Sequence, residues 1–104
     1  MITTVLLSRR AAKNLVNLMK GNQLAVAKFF LWKREVEALG LDEVKKLPGF
    51  HDEGLQGKLK GLRSIRLNGA YRAYYRITMD KVECVLVEEV NKHDYKKIER
   101  LFGE

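Results

Sequence analysis

Apolar positions along this chain follow two periods, and the change from one to the other divides it. Ile2 to Leu7 is a short β-branched run that predicts a first strand. After Ser8, a candidate N-cap, Ala11, Ala12, Leu15, Leu18 and Met19 recur at helical spacing until Gly21. Asn22 can cap a second helix, with Leu24, Ala27, Phe30 and Leu31 on one face and Lys28, Lys33, Arg34 and Glu37 on the other. Phe29 and Trp32 widen its apolar surface, Trp32 as a packing anchor, and Gly40 ends it as a C′ glycine. The break between the two helices is short, which predicts an antiparallel helical hairpin.

Leu41 to Leu47 adds a helical turn or two before Pro48-Gly49, and Phe50 to Gly57, with its Gly, Asp, Glu and His residues, reads as loop. His51 there reads as plain surface. Beyond it the period becomes two. The runs GLRSIRL and YRAYYRI flank a turn NGA, a further strand VECVLVEEV follows over Val82–Val90, and an amphipathic helix spans about Asp94 to Phe102. The order β-α-α-β-β-β-α reads as one α+β domain over residues 1–104.

Alternation fixes faces within the hairpin. Placing Ile65, Leu67, Ala73 and Tyr75 toward the core turns Arg66, Arg72, Tyr74 and Arg76 outward together. That requires opposed residue numbers with an even sum, such as Arg66 across from Arg72. A strict two-residue Asn68-Gly69 turn gives an odd sum, so a three-residue or bulged turn is expected. Directly opposed arginines repel unless an anion lies between them.

Charge points to the same place. The chain has 20 Lys+Arg against 13 Asp+Glu, a net charge of +7. Six cations (Lys58, Lys60, Arg63, Arg66, Arg72 and Arg76) lie between Gly54 and Arg76 with no acid among them, and without these the balance is 14 to 13. A twisted basic hairpin is suited to a phosphate backbone, so the expected partner is acidic: nucleic acid, or an acidic protein that covers the basic face. Cys84 is the only cysteine, which excludes an internal disulfide, and its apolar setting reads as a buried small hydrophobe. No metal-ligand spacing is visible, and no cofactor or metal is expected. No apolar run is long enough to span a bilayer, and the N-terminus is the reverse of a signal peptide, so a cytoplasmic protein without membrane contact is expected.

The string GKLKGLRSIRLNGAYRAYYRI, followed by VLVEEVNKHDYKKI, resembles the RelE/ParE superfamily of bacterial toxins, on the RelE and HigB-like side. The resemblance implies an N-terminal strand, an antiparallel helical hairpin, a twisted, mainly antiparallel four-stranded sheet and a short C-terminal helix. It also implies a toxin of a type II toxin–antitoxin system: a metal-independent endoribonuclease that cuts mRNA in the ribosomal A site and is held inactive by a cognate antitoxin. Carried over by residue, Lys58, Arg66 and Arg72 match the basic positions of the family's strings, His93 the cation or histidine after the last strand, and Tyr95 the terminal tyrosine. Ser64 departs from the family's second lysine, the turn after Leu67 is one residue shorter, and His93 stands where some members have arginine.

The catalytic set so implied is Arg66, Arg72, His93 and Tyr95. Arg66 and Arg72 would clamp the scissile phosphate, and His93 would act as acid or base near neutral pH. Tyr95, or Tyr74 in its place, would stack on a base or assist proton transfer. Lys58, Lys60, Arg63, Tyr74, Arg76 and Lys92 complete the expected RNA-binding surface. Two other functions fit the same residues: a ParE-like, non-catalytic inhibitor of DNA gyrase, and a nucleic-acid-binding module without catalysis. His93 with Tyr95 beside a basic hairpin favours the nuclease.

Overall fold

The computed structural model describes residues 1–89 and 95–103, with the side chains of all of these except Tyr95. The elements run β1 (Val5–Leu7), α1 (Arg9–Leu18), α2 (Gln23–Leu39), α3 (Leu41–Val44), β2 (Glu53–Gly54), β3 (Leu62–Arg66), β4 (Tyr71–Thr78), β5 (Lys81–Glu89) and α4 (Tyr95–Phe102). Short 3-10 turns occupy Pro48–Phe50 and Gly57–Leu59. This is the expected α+β order with one addition. The segment read as loop contributes a two-residue edge strand, β2, so the sheet has five strands in the order β1-β5-β4-β3-β2. Among these strands β1 and β5 pair in parallel and the other neighbours are antiparallel.

The hairpin register is the one that side-chain parity requires. Arg66 lies opposite Arg72 and Ile65 opposite Ala73. The connection is Asn68-Gly69-Ala70, closed by the Leu67 N–H donating to the Tyr71 carbonyl at 2.9 Å. The Asn68 side-chain oxygen accepts from the Ala70 and Tyr71 N–H groups at 2.8 and 2.7 Å. Neither Asn68 nor Gly69 is left-handed, so the Asn-Gly pair does not form the two-residue primed turn. That turn type occurs at the other hairpin instead, where Met79 and Asp80 have φ of 53° and 62° and Thr78 pairs with Lys81.

Both faces of the sheet are covered. On the first, α1, α2 and α3 pack Ala11, Leu15, Phe29, Trp32, Val36 and Leu41 against Ile65, Ala73, Tyr75, Val82 and Cys84. The Trp32 and Tyr75 rings lie 5.2 Å apart, and both residues are fully buried, as the anchor and core roles expected of them require. The face of α2 is corrected: Ala25, Val26, Phe29, Trp32 and Val36 point inward, while Leu24, Phe30 and Leu31 are exposed. α2 is apolar on several sides, so spacing alone does not choose the buried stripe.

On the second face, Ile98 and Phe102 of α4 cover Leu55, Leu59, Leu62, Tyr74, Val85 and Leu86. The outward placement of Tyr74 is therefore corrected. It shares the parity of Arg72 and Arg76, but that face carries a core of its own and Tyr74 is only 2% exposed. A bulge in β5 supplies part of this core. Tyr74 pairs with Leu86 and Tyr75 with Cys84, so Val85 is an extra residue that lets Val85 and Leu86 face α4 while Cys84 and Val87 face the other helices.

Ser8 ties the bulge to α1. Its hydroxyl oxygen accepts from the Ala11 N–H at 3.0 Å and its O–H donates to the Val85 carbonyl at 3.2 Å. Ser8→Ala removes a helix cap and also strips a part-buried carbonyl of its donor. The expected loss is about 2 kcal/mol of unfolding free energy, read from urea denaturation; a loss of only about 1 kcal/mol, that of an ordinary N-cap alone, would show that the carbonyl contact contributes nothing.

Candidate active site

A cluster of charged side chains shares the second face at the end of the sheet near the β3–β4 turn. Arg66 and Arg72 share this face directly opposite each other, and Glu88 of β5 lies across from Arg72 on its other side. Arg72 donates from Nη1 to Glu53 Oε1 at 2.8 Å and to Ser64 Oγ at 3.4 Å. Its Nε and Nη2 make no hydrogen bond with a described residue, which leaves two N–H edges of the guanidinium for a ligand. Arg66 forms no ion pair among the described residues. Glu88 is held by Lys97 of α4 instead of Arg72.

Acids from outside the basic segment therefore enter it. The acid-free stretch begins immediately after Asp52 and Glu53, and β2 carries Glu53 back beside Ser64. Glu53 is not among the residues singled out in the sequence, and its sequence signal is only that it directly precedes the basic run. Glu83 of β5 takes Arg76 in the same way, at 2.8 Å.

The other predicted cations divide by position. Lys58 and Lys60 are exposed on and beside the 3-10 turn Gly57–Leu59 and form no ion pair among the described residues. Gly61, at φ +105°, is the left-handed residue that lets the chain leave that turn and enter β3, which gives the Lys-Leu-Lys-Gly string a backbone role. Arg76 is four residues from Arg72 along β4, about 13 Å away, with the covered Tyr74 between them, so it stands apart from the cluster. Arg63 lies on the face opposite to that of Arg66 and Arg72. Its Nε donates to Asp52 Oδ1 at 2.7 Å on the helix side of the sheet. Lys92 and His93 lie outside the described residues, and Tyr95 opens α4.

The Arg63 site is a structural network. The Asp52 side chain has no solvent exposure and also accepts the Tyr75 hydroxyl at 2.5 Å. Burial alone would lower the Arg63 pKa, but the hydrogen bond and charge of Asp52 outweigh it and raise the value. A Cβ at Gly54 would meet Arg63 Nη1 at 3.0 Å, so a side chain there would press on the guanidinium. The network pins the start of β2 and with it Glu53. Among the described residues no three His, Cys, Asp or Glu side chains converge on a point where a metal ion could bind.

Burial pushes the Cys84 thiol up to about 12. Burial, then the Asp52 hydrogen bond, pushes the Tyr75 phenol far above its usual range. Both pKa values are higher folded than unfolded, so their stabilisation is complete below the unfolded values of 9.0 and 10.0 and is lost as pH rises above them. The urea midpoint is expected to hold level toward pH 9 and to fall between about pH 9 and 11; a level midpoint through that range would contradict the burial of both groups.

No family model and no curated protein matches the chain. Solved structures do. A YoeB/ParE toxin from Agrobacterium tumefaciens aligns over 85% of this chain and 99% of its own, with a TM-score of 0.67 and 14% identity. YafQ from E. coli strain BL21(DE3) aligns over 82% and 90%, with a TM-score of 0.67 and 15% identity. The chain has the fold of these toxins. A third structure with this YoeB-like fold, a YoeB–YefM complex from Staphylococcus aureus, aligns over 85% and 97%, with a TM-score of 0.66 and 18% identity. A further structure of that pair is a heterotetrameric toxin–antitoxin complex. Among the described residues, no helix is long and apolar enough to cross a membrane.

Proposed function

We propose that this protein is the toxin of a toxin–antitoxin pair and acts as a ribosome-dependent, metal-independent endonuclease on mRNA. The observation that carries this reading is the opposed pair Arg66 and Arg72, with Glu53 hydrogen-bonded to one of them. Two cations side by side on a sheet repel each other, and a phosphate between them reverses the sign of that interaction. A carboxylate beside them is out of place in a plain electrostatic patch, but it is what a proton transfer at the phosphate requires.

In this scheme the scissile phosphate lies between Arg66 and Arg72, whose guanidinium groups stabilise the charge that develops on its oxygens. Glu53 takes the proton of the 2′-hydroxyl, whose oxygen forms the new bond to phosphorus. The bond to the 5′-oxygen breaks, and an acid supplies the proton that this oxygen needs. His93 is the residue proposed for that step, with Tyr95 assisting or stacking on a base. Lys58, Lys60 and Lys92 hold neighbouring phosphates. The inhibiting partner is an antitoxin, as in the YoeB–YefM pair.

Cleavage mapping in a translation extract, with and without ribosomes, tests this reading. Cuts within translated message only, lost on addition of the antitoxin, are expected. Gyrase inhibition without RNA cleavage would replace the reading with the ParE-like one, and salt-sensitive RNA binding without cleavage would reduce it to a binding module.

A further inference from the structure

Glu53 borders more than Arg72. On its other side is a cavity of about 340 Å³ lined by Glu53, Gly54, Leu55, Gln56 and Leu59. Leu55 and Leu59 line it with the small apolar edges that they leave open above the cluster beneath α4. Its neutral polar side chain is Gln56, three residues beyond the carboxylate that touches Arg72 and therefore within about 10 Å of it along the chain. Lys58 and Lys60 follow directly, exposed on the next turn.

Resting on the endonuclease reading above, we infer that this cavity seats the base of the nucleotide adjoining the scissile phosphate and that Gln56 selects adenine there. The volume is in the range of small-ligand sites. A flat base over Leu55 and Leu59 displaces water from apolar surface, and a glutamine amide offers the paired donor and acceptor that match N7 and the 6-amino group of adenine. Asparagine and glutamine discriminate this way, whereas a lysine at the same place would grip phosphate without reading a base. Glu53, shared between cavity and guanidinium, sets the spacing: a phosphate on Arg72 and a base in the cavity belong to one nucleotide step. The exposed Lys58 and Lys60 are then placed for the phosphate that follows.

Two measurements test this. In cleavage maps of translated message, the wild-type protein is expected to favour adenine at one position beside the cut. Gln56→Ala should reduce that preference by about fivefold or more while cutting still occurs. Gln56→Glu, which can only accept, should move the preference toward cytosine, whose amino group donates. Cleavage with the same base preference in Gln56→Ala overturns the inference and leaves the endonuclease reading intact. Independently of any cleavage, titration with adenosine monophosphate should shift the Gln56 side-chain amide and the Leu55 and Leu59 methyl resonances, and uridine monophosphate should shift them much less. Those shifts in a protein that cuts no RNA would keep the base site and overturn the enzyme. Their absence, or equal response to both nucleotides, overturns the base site.

Discussion

Arg63→Ala is expected to destabilise the protein by about 3 kcal/mol, the largest effect on folding of any single charge in the basic segment. Asp52 keeps its carboxylate where no solvent reaches it, and Arg63 is the cation that compensates that charge. Removing the guanidinium leaves a buried anion with, among the described residues, the Tyr75 hydroxyl as its remaining side-chain donor, and breaking such a pair from one side costs far more than the pair itself is worth. In urea this should lower the unfolding midpoint by on the order of 1–2 M. Replacing Asp52 and Arg63 together by Asn and Met removes both charges at once and should recover part of the loss, because no buried charge is then left without its partner. If the single variant unfolds at the wild-type midpoint, the Asp52 carboxylate has another partner or reaches water. Arg63→Ala should also lower activity, through the loosened start of β2 that carries Glu53.

The contrast between Arg63 and its neighbours shows what the sequence makes legible. Parity is a local rule, so the long strands, the Arg66–Arg72 register and the three-residue turn between them all follow from residues a few positions apart. Contacts that close across the chain do not. Asp52, Glu53 and Glu83 reach Arg63, Arg72 and Arg76 only after β2 and β5 fold alongside, so half the cations of a run without acids become paired. Tyr74 was outward by parity, but parity says which face a residue is on and not whether a helix covers that face. The unbroken apolar run Cys84 to Val87 in β5 is the local sign that both faces are buried. The same limit hides Glu53, whose part in the cluster depends on a two-residue strand that no periodicity signals.

The Arg66–Arg72 pair should show the opposite balance of stability and activity. Arg66→Ala removes one of two facing cations and no ion pair among the described residues, so stability should stay level or rise by up to ~0.5 kcal/mol. Cleavage should fall by about 100-fold or more, the loss expected when one preorganised charge donor to the reacting phosphate is removed. Arg72→Lys sharpens the test. The lysine keeps the charge and can still reach Glu53, but it loses the planar fork whose Nε and Nη2 edges are free of described partners. A clamp that works by bidentate geometry predicts a loss for lysine close to that for alanine, measured as the cleavage rate of translated message at equal folded protein. A surface that works by charge alone predicts near wild-type rates for lysine and a loss for alanine that shrinks as salt is lowered. Undiminished cleavage by a folded Arg72→Lys protein would remove the clamp, and with it the reason for the two arginines to face each other at a cost in stability.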